Sequence, residues 1–369
     1  MSETNDQIIK LTHALEKLRS KESAIYFLTM DTKGTAKASV TLIYDIVKEL
    51  RNAGYNAMIM HEKSDFHDVT TWLGDGYKDI PHVSIEAKQV EVIISDLVII
   101  PEVFGHVLEQ TQSMPCEKII LSQAYDYILE TLPPGMTWRN YGVTTCITTS
   151  NTQKEYLETI MGGLDYHVIV PAIDENFKKY EYPQPPLISI HTRESRDTMK
   201  IIKTFYIKYP QFKWITFRDL RNMPTKKFAE DLAESFVSVW VDDISGFGTF
   251  PLESMKCGIP VIGKVPNLKP DWMSEDNGIW SYDFNKIVDV LGGFVQKWLE
   301  DELPIELYND MEKTVEKYKK DVFIDSVLDI FSSINERKIL DVRRNLEKLT
   351  PVGPEDETLE GSVNELYNN

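Results

Sequence analysis

The sequence has few cysteines and too little positive charge to balance its acids. Its 369 residues include 3 cysteines, too few and too widely spaced to indicate a disulfide framework or a zinc site. Lysine and arginine number 40 against 58 aspartates and glutamates, so the formal net charge is −18. Such a charge repels polyanions at long range, and it disfavours nucleic acid or anionic lipid as the main partner unless a local basic groove overrides it.

Long apolar runs and several well-known catalytic motifs are also absent. No run of about 18 apolar residues occurs and the first residues are polar, so we expect a cytoplasmic protein without a transmembrane segment. The sequence contains no Gly-x-x-x-x-Gly-Lys-Ser/Thr loop, no Gly-x-Ser-x-Gly elbow and no His-Glu-x-x-His motif. ATPase, serine hydrolase and zinc protease functions therefore have no support.

What the sequence does have is a regular alternation of strand-like and helix-like segments. The first predicted unit is a strand at 24–30, a helix over 36–53 and a strand at 55–60. Further strands are predicted in this half at 90–94, 96–100, 118–121 and 143–148. A second series begins at 187, after a proline-rich connector. The alternation predicts an α/β protein with two Rossmann-like, doubly wound domains.

The domain boundaries follow from the same reading. Residues 1–172 are predicted to form the first domain and 173–305 the second, and C-terminal helices are predicted over 306–349. The tail, 350–369, has five acids, two prolines and no Lys or Arg, so we expect it to be disordered.

The most informative segment is 245–262, near the end of the second series. Gly246 and Gly248 lack a Cβ atom, so their backbone N–H groups can approach a ligand closely. Pro251 suits a first helical position, which would point the positive end of a short helix at the loop and favour a diphosphate there. The same spacing also fits an ordinary loop and helix start with a solvated Glu253.

A family resemblance favours the first interpretation. The segment resembles the donor-site signature of retaining glycosyltransferases of the GT-B fold, family 4 (group 1) type. The matching residues are Gly246, Phe247, Gly248, Leu252, Glu253, Met255, Cys257, Gly258, Pro260 and Val261. The resemblance implies an acceptor-binding first domain and a donor-binding second domain that face a cleft. It implies retaining transfer of a hexose-type sugar from a nucleotide diphosphate sugar to an acceptor hydroxyl, without a metal or other cofactor.

The resemblance also assigns roles to donor-side residues. It places Glu253 on the nucleotide ribose and residues 246–249, with Thr249 the last, along the sugar and diphosphate. Ser245 stands where the family has a glutamate that contacts the donor sugar, so the choice of sugar is where we expect a departure. Arg193 matches the arginine that neutralises the donor diphosphate.

Two more sets of donor-side residues are assigned only by their position relative to the family pattern. The family's diphosphate-binding lysine falls on Thr198, so Arg196, Lys200 or Lys203 would replace it. Gly34 lies in a loop after the first strand, where the family has a glycine-bearing loop near the donor and acceptor. A plain turn between strand and helix fits Gly34 equally well.

Candidates for the acceptor side follow two other predicted strands. They are Glu102 and His106 after one strand, and Gln123 and Tyr125 after the next. The family often has a histidine near the position of Gln123, so no catalytic histidine carries over. Asp242 and Asp243 end a further strand, and we interpret them as a solvated turn rather than a metal site.

Two alternative functions remain open at this point. One is a glycosyltransferase acting on a modified base in DNA, as in bacteriophage enzymes of this fold, for which the basic residues Lys33, Lys37, Arg139 and Lys154 would have to form a positive cleft. The other is a catalytically silent nucleotide-sugar binder or assembly subunit, motivated by Ser245 and the missing lysine and histidine.

Overall fold

The structure, a computed structural model, describes residues 2–350 except 89 and 222. These residues form a sheet of 7 strands and a sheet of 5 strands, each flanked by helices. The sequence prediction of an α/β protein with two parallel sheets is therefore confirmed. The acidic tail that was expected to be disordered lies outside the described residues, apart from its first residue.

The first sheet is entirely parallel, with strand order β3-β2-β1-β4-β5-β6-β7. Its strands are β1 (Ala24–Leu28), β2 (Asn56–His61), β3 (His82–Ser84), β4 (Leu97–Pro101), β5 (Glu117–Ser122), β6 (Thr145–Thr148) and β7 (Asp165–Val168). The helices of this half are α1 (Ser2–Arg19), α2 (Ala38–Asn52), α3 (Thr70–Leu73), α4 (Gly105–Gln110), α5 (Tyr127–Thr131) and α6 (Asn151–Ile160). All five residues of β1 are buried, as expected for a central strand covered on both faces.

The second sheet is smaller and also parallel, with strand order β12-β11-β10-β8-β9. Its strands are β8 (Leu187–Thr192), β9 (Thr216–Asp219), β10 (Val237–Val241), β11 (Val261–Lys264) and β12 (Ile279–Ser281). The helices are α7 (Ser195–Lys208), α8 (Thr225–Ala233), α9 (Thr249–Lys256), α10 (Ile287–Leu299), α11 (Ile305–Val315) and α12 (Lys320–Leu349). Strand β10 sits at its centre, so the loop that follows β10 starts from the most buried part of this half.

The last helix returns to the first half of the molecule. Phe331 of α12 packs against Phe27 of β1 with ring centroids 5.9 Å apart, and Val327 and Ile334 join the same hydrophobic core. Each such buried apolar side chain stabilises the packing by about 1.5–3 kcal/mol. Helix α12 therefore links the two halves of the molecule.

Two details differ from the sequence prediction. Residues 90–94 are not a strand, because the Asp96 carboxylate accepts the amides of Ile93 and Ala24 at 2.9 Å and holds the segment as a loop that leads into β4. Strands β3 and β12 were missed, since three residues each are too short to show a period.

In the part of the chain that the structure describes, no helix is both long enough and apolar enough to cross a bilayer.

Candidate functional site

Loops at the carboxyl ends of strands from both sheets meet in a cleft between the two halves. Two cavities of about 470 and 420 Å³ occupy it, and they share lining residues that include Lys37, Pro171, His191, Thr249 and Phe250. They are therefore adjacent parts of one cleft. This edge of a parallel sheet is where α/β proteins bind ligands.

The glycine-rich loop before α9 is held in shape by its own polar groups. Asp242 accepts the amide of Ser245 at 3.1 Å, and the Ser245 hydroxyl accepts the amide of Gly248 at 2.9 Å. The indole of Trp272 donates to the carbonyl of Phe247 at 2.7 Å. Ser245, the residue that departs from the family pattern, thus stabilises the loop and also lines the smaller cavity.

Gly248 is required by both backbone conformation and packing. Its φ is +71°, and a Cβ atom added to it would lie 2.7 Å from the Trp240 ring. It immediately precedes Thr249 and Phe250, the first two residues of α9, whose amides have no acceptor within the helix. These residues line both cavities, so the positive end of α9 faces the cleft.

Gly246 serves a different purpose from the one predicted for it. Its amide donates to the carbonyl of Gln123 at 3.2 Å, and its own carbonyl accepts from the Ser150 hydroxyl at 3.0 Å. An added Cβ atom would lie 2.5 Å from the Gln153 amide oxygen. The first glycine therefore docks the loop onto the first domain, and only the later part of the predicted cradle is open to a ligand.

A second contact between the domains lies close to this one. The Asp271 carboxylate accepts the amides of Asn151 at 2.7 Å and Thr152 at 2.8 Å, at the start of α6. A carboxylate at a helix amino terminus satisfies otherwise unpaired N–H groups and the helix dipole. Nothing in the sequence indicated this contact, because the cap lies 119 residues or more away from the helix that it caps.

Glu253 lies in the second turn of α9 and lines the larger cavity. Burial raises the pKa of its carboxyl group to about 8, the negative charge of Asp174 adds to the rise, and a hydrogen bond with Thr249 opposes it. Asp174 lines the same cavity. The wall that faces a ligand here therefore carries a carboxyl group that is mostly protonated near neutral pH.

Arg193 follows β8 and lines the smaller cavity. Its guanidinium group donates to the Tyr127 hydroxyl, lies 5.6 Å from the centre of that ring, and is 3.5 Å from the Asp242 carboxylate. Arg196, the other predicted diphosphate contact, is exposed and lines neither cavity. The structure thus separates two arginines that the sequence analysis had grouped together.

His191 was not identified from the sequence, although it lines both cavities. Its ring stacks on that of Phe250 with centroids 5.0 Å apart and an interplanar angle of 19°. Burial lowers the pKa of the imidazole, which keeps it neutral. The sequence did contain a signal for His191. Side chains two residues apart in a strand point to the same face, so residue 191 lies on the same face as Arg193.

Two of the four acceptor-side candidates lie in the smaller cavity. Glu102 is 4% exposed and accepts the amide of Ala124 at 2.7 Å. Burial raises the pKa of the Glu102 carboxyl group to about 7. Gln123 donates from its side chain to the carbonyl of Ser39 at 3.0 Å. Both residues brace the loops around the cavity as well as lining it.

The remaining candidates line neither cavity. The Tyr125 hydroxyl donates to the carbonyl of Asp243 at 3.1 Å, so it joins the two domains. His106 pairs with Glu62 at 3.1 Å outside the cavity linings. Gly34 has a φ of +76° and lines neither cavity, although Thr29, Met30 and the residues from 36 onward in the same loop do.

No protein-family model matches the sequence and no curated protein matches it, but solved structures do. Sucrose-phosphate synthase from Thermosynechococcus elongatus is 11% identical, with a TM-score of 0.63 over 85% of this chain and 100% of that chain. The pneumococcal O-GlcNAc transferase GtfA, solved with UDP and GlcNAc, is 10% identical, with a TM-score of 0.64 over 86% and 99%. Anabaena HepE, solved with UDP-glucose, is 12% identical, with a TM-score of 0.60 over 84% and 99%. The fold is GT-B.

Both members of the acidic pair after β10 contact other groups of the second domain. Asp243 pairs with Lys264 at 2.6 Å, and Asp242 holds the glycine-rich loop. Across the described residues, no group of three or more His, Cys, Asp or Glu side chains is arranged to hold a metal ion.

Proposed function

We propose that the protein is a glycosyltransferase that moves a sugar from a nucleotide diphosphate sugar to an acceptor hydroxyl. The observation that carries the proposal is the composition of one cleft. Arg193, the amino terminus of α9 and Glu253 all line it, at the carboxyl ends of the strands of the second sheet. An arginine and unpaired helix amides bind phosphate oxygens, and a carboxyl group binds vicinal hydroxyls.

The two cavities suggest how a donor would lie. The larger one, with Glu253, would take the nucleoside, and its carboxylate would accept hydrogen bonds from the ribose hydroxyls. The diphosphate would sit at the start of α9, next to Arg193. The smaller cavity, with Ser245, Glu102 and Gln123, would then receive the sugar and the acceptor.

The chemistry proposed for this site is electrostatic. The bond between the anomeric carbon and the diphosphate oxygen breaks, the acceptor oxygen bonds to that carbon, and the acceptor proton leaves with the departing diphosphate. Arg193 and the α9 amides stabilise the negative charge that develops on the diphosphate, so no protein nucleophile is required. From the resemblance of the glycine-rich loop we also propose that transfer retains the anomeric configuration and needs no resident metal ion.

The first donors to test are uridine nucleotides, because GtfA and HepE were solved with UDP or UDP-glucose. Calorimetry would measure UDP affinity for the wild type, Arg193→Ala and Glu253→Ala. Loss of one charge-assisted contact to phosphate costs about 1.5–3 kcal/mol, so we expect the arginine variant to bind at least about tenfold more weakly. Turnover would be measured as the release of UDP from UDP-sugars. The same assay with a chelator would test whether transfer needs a metal ion.

Two further variants sharpen this experiment. Arg344→Ala removes an exposed arginine on α12, far from the cleft, and we expect wild-type binding. Arg196→Ala tests the second arginine of the sequence analysis, and we expect a smaller loss than for Arg193→Ala. Wild-type affinity and turnover in both Arg193→Ala and Glu253→Ala would show that the site is wrong. Tight binding without turnover on any acceptor mixture would instead identify a binding protein.

A further inference from the structure

One stretch of this acidic chain carries no acid at all. Residues 198–215 contain four lysines and neither aspartate nor glutamate, in a protein whose net charge is −18. The stretch covers most of α7 and the turn that leads into β9. It lies outside both cavities of the cleft, and the proposed function does not use it.

The outer face of this stretch combines lysines with exposed apolar side chains. Met199 is 49% exposed, Ile207 is 78% exposed and Trp214 is 48% exposed. Met199, Lys203 and Ile207 are spaced by four residues, so they form one stripe along α7. The opposite face is buried, with Phe205 in the core of the second domain.

The turn after α7 lies beside the same stripe. The Tyr206 hydroxyl donates to the carbonyl of Ile215 at 2.7 Å, which holds the segment before β9 against the helix. Lys213 and Trp214 precede that carbonyl and are exposed. We call Met199, Lys203, Ile207, Lys213 and Trp214 the α7 surface.

The lysines of the stretch differ in their partners. Lys208 pairs with Asp289 at 2.7 Å, and Lys200 bonds to Asn285 at 3.2 Å, so both turn toward α10 and its preceding turn. Among the described residues, Lys203 and Lys213 form no ion pair. The two unpaired charges are therefore those beside the exposed apolar side chains.

We propose that the α7 surface docks the protein onto an anionic membrane. Lysine side chains reach the headgroups with their charged ends, and the methionine, isoleucine and tryptophan side chains enter the interface between headgroups and acyl chains. Tryptophan favours that depth. A nucleic acid would match the lysines but leave the isoleucine and methionine without a partner. The two unpaired lysines attract the anionic membrane at short range. The acids elsewhere on the protein do not cancel this attraction, because salt screens their repulsion of the membrane beyond about 10 Å.

Vesicle sedimentation tests the proposal with the full-length protein. We expect it to pellet with vesicles of phosphatidylcholine and phosphatidylglycerol, not with phosphatidylcholine alone, and to be released at high salt. Reversing the two unpaired charges in Lys203→Glu/Lys213→Glu should weaken binding at least about tenfold. Ile207→Ser/Trp214→Ser should also weaken binding at low salt, although this variant leaves the net charge unchanged.

The matched control is Lys10→Glu/Lys348→Glu, which reverses two exposed lysines on α1 and α12. It changes the net charge equally, and we expect wild-type binding. Equal binding to both kinds of vesicle, no binding to either, or an equal loss in the control pair would overturn the proposal. Light scattering provides the remaining check, because a dimer that Ile207→Ser/Trp214→Ser dissociates would show that the surface pairs two copies of the chain instead. Thermal unfolding would confirm that all variants are folded.

Discussion

Two glycine-bearing loops approach the cleft from opposite domains, and they use glycine for different reasons. Gly34 in the first domain and Gly248 in the second have similar φ angles of +76° and +71°. A Cβ atom at Gly34 would meet nothing within 4 Å, whereas one at Gly248 would lie 2.7 Å from Trp240. The first loop needs glycine only for its backbone angle, and the second needs it for packing as well.

The two loops also differ in the contacts that hold them in place. The loop before α9 is fixed by Asp242, Ser245 and Trp272, and Gly246 also docks it onto the first domain. The loop around Gly34 is fixed mainly by its own turn and by Asp31, which bonds to His67 at 2.8 Å. A site that is fixed before its ligand arrives loses less entropy on binding. The comparison therefore identifies the second domain as the preorganised side of the cleft.

The largest effect is expected from Gly248→Ala. A positive φ costs a non-glycine residue about 1–2 kcal/mol and overpacking against a buried ring costs about 1–3 kcal/mol, so we expect a loss of about 3 kcal/mol in unfolding free energy. Urea unfolding measures it. Gly258→Ala, at the other end of α9, is the matched control, because its φ is +74° but its nearest neighbour is a flexible lysine side chain at 3.4 Å. Equal losses in the two variants would show that Trp240 does not constrain the loop.

A smaller effect, of another kind, is expected from Gly246→Ala. The added methyl group would press on Gln153 and on the carbonyl of Gln123, so it should weaken the contact between the domains rather than unfold either one. We expect a change of about 1–2 kcal/mol, seen as faster hydrogen exchange of the Thr152 amide and weaker UDP binding. Gly293→Ala on α10, where a methyl group meets nothing within 4 Å, should change neither. Unchanged exchange at Thr152 would contradict the docking role of Gly246.

The pH dependence of donor binding tests the preorganised side at Glu253. Burial raises the pKa of this carboxyl group to about 8, and hydroxyl donors of a bound ribose would favour its charged form. UDP-glucose affinity should therefore increase as the pH rises through about 8, and binding should release protons. Calorimetry in buffers of different ionisation enthalpy measures both. Glu253→Gln should remove the pH dependence, and an affinity that falls with rising pH would contradict the assignment.

The same pKa predicts how Glu253 affects stability in the unliganded protein. The folded state holds the proton more tightly than the unfolded state, whose carboxyl group has the ordinary value of 4.5. The contribution of this group is therefore most favourable below the ordinary pKa and is lost as the pH rises toward about 8. Glu253→Gln should consequently gain stability relative to the wild type over that range. A constant difference between the two proteins would show that the carboxyl group is not buried in solution.

Features of this protein that depend on neighbouring residues could be predicted from the sequence, and features that depend on contacts between distant residues could not. Most strands and helices of both domains and the short helix α9 were predictable, because strand length, helix period and glycine position are local signals, although α9 begins at Thr249 rather than at Pro251. The use of the Gly246 amide, the cap that Asp271 places on α6 and the separation of Arg193 from Arg196 were not predictable. Each of these depends on contacts between residues far apart in the chain, which only the packing of the two domains determines.

The smallest effect is expected at the loop of the first domain. Gly34→Ala should cost about 1 kcal/mol in unfolding free energy from the backbone angle alone, and UDP affinity should not change, because the residue lines neither cavity. Gly135→Ala is the matched control, with a φ of +79° and nothing within 4 Å of an added methyl group. Equal losses of stability in the two variants would confirm that Gly34 has only a backbone role. A drop in UDP affinity in Gly34→Ala alone would show instead that this loop moves onto the donor, and that both sides of the cleft bind it.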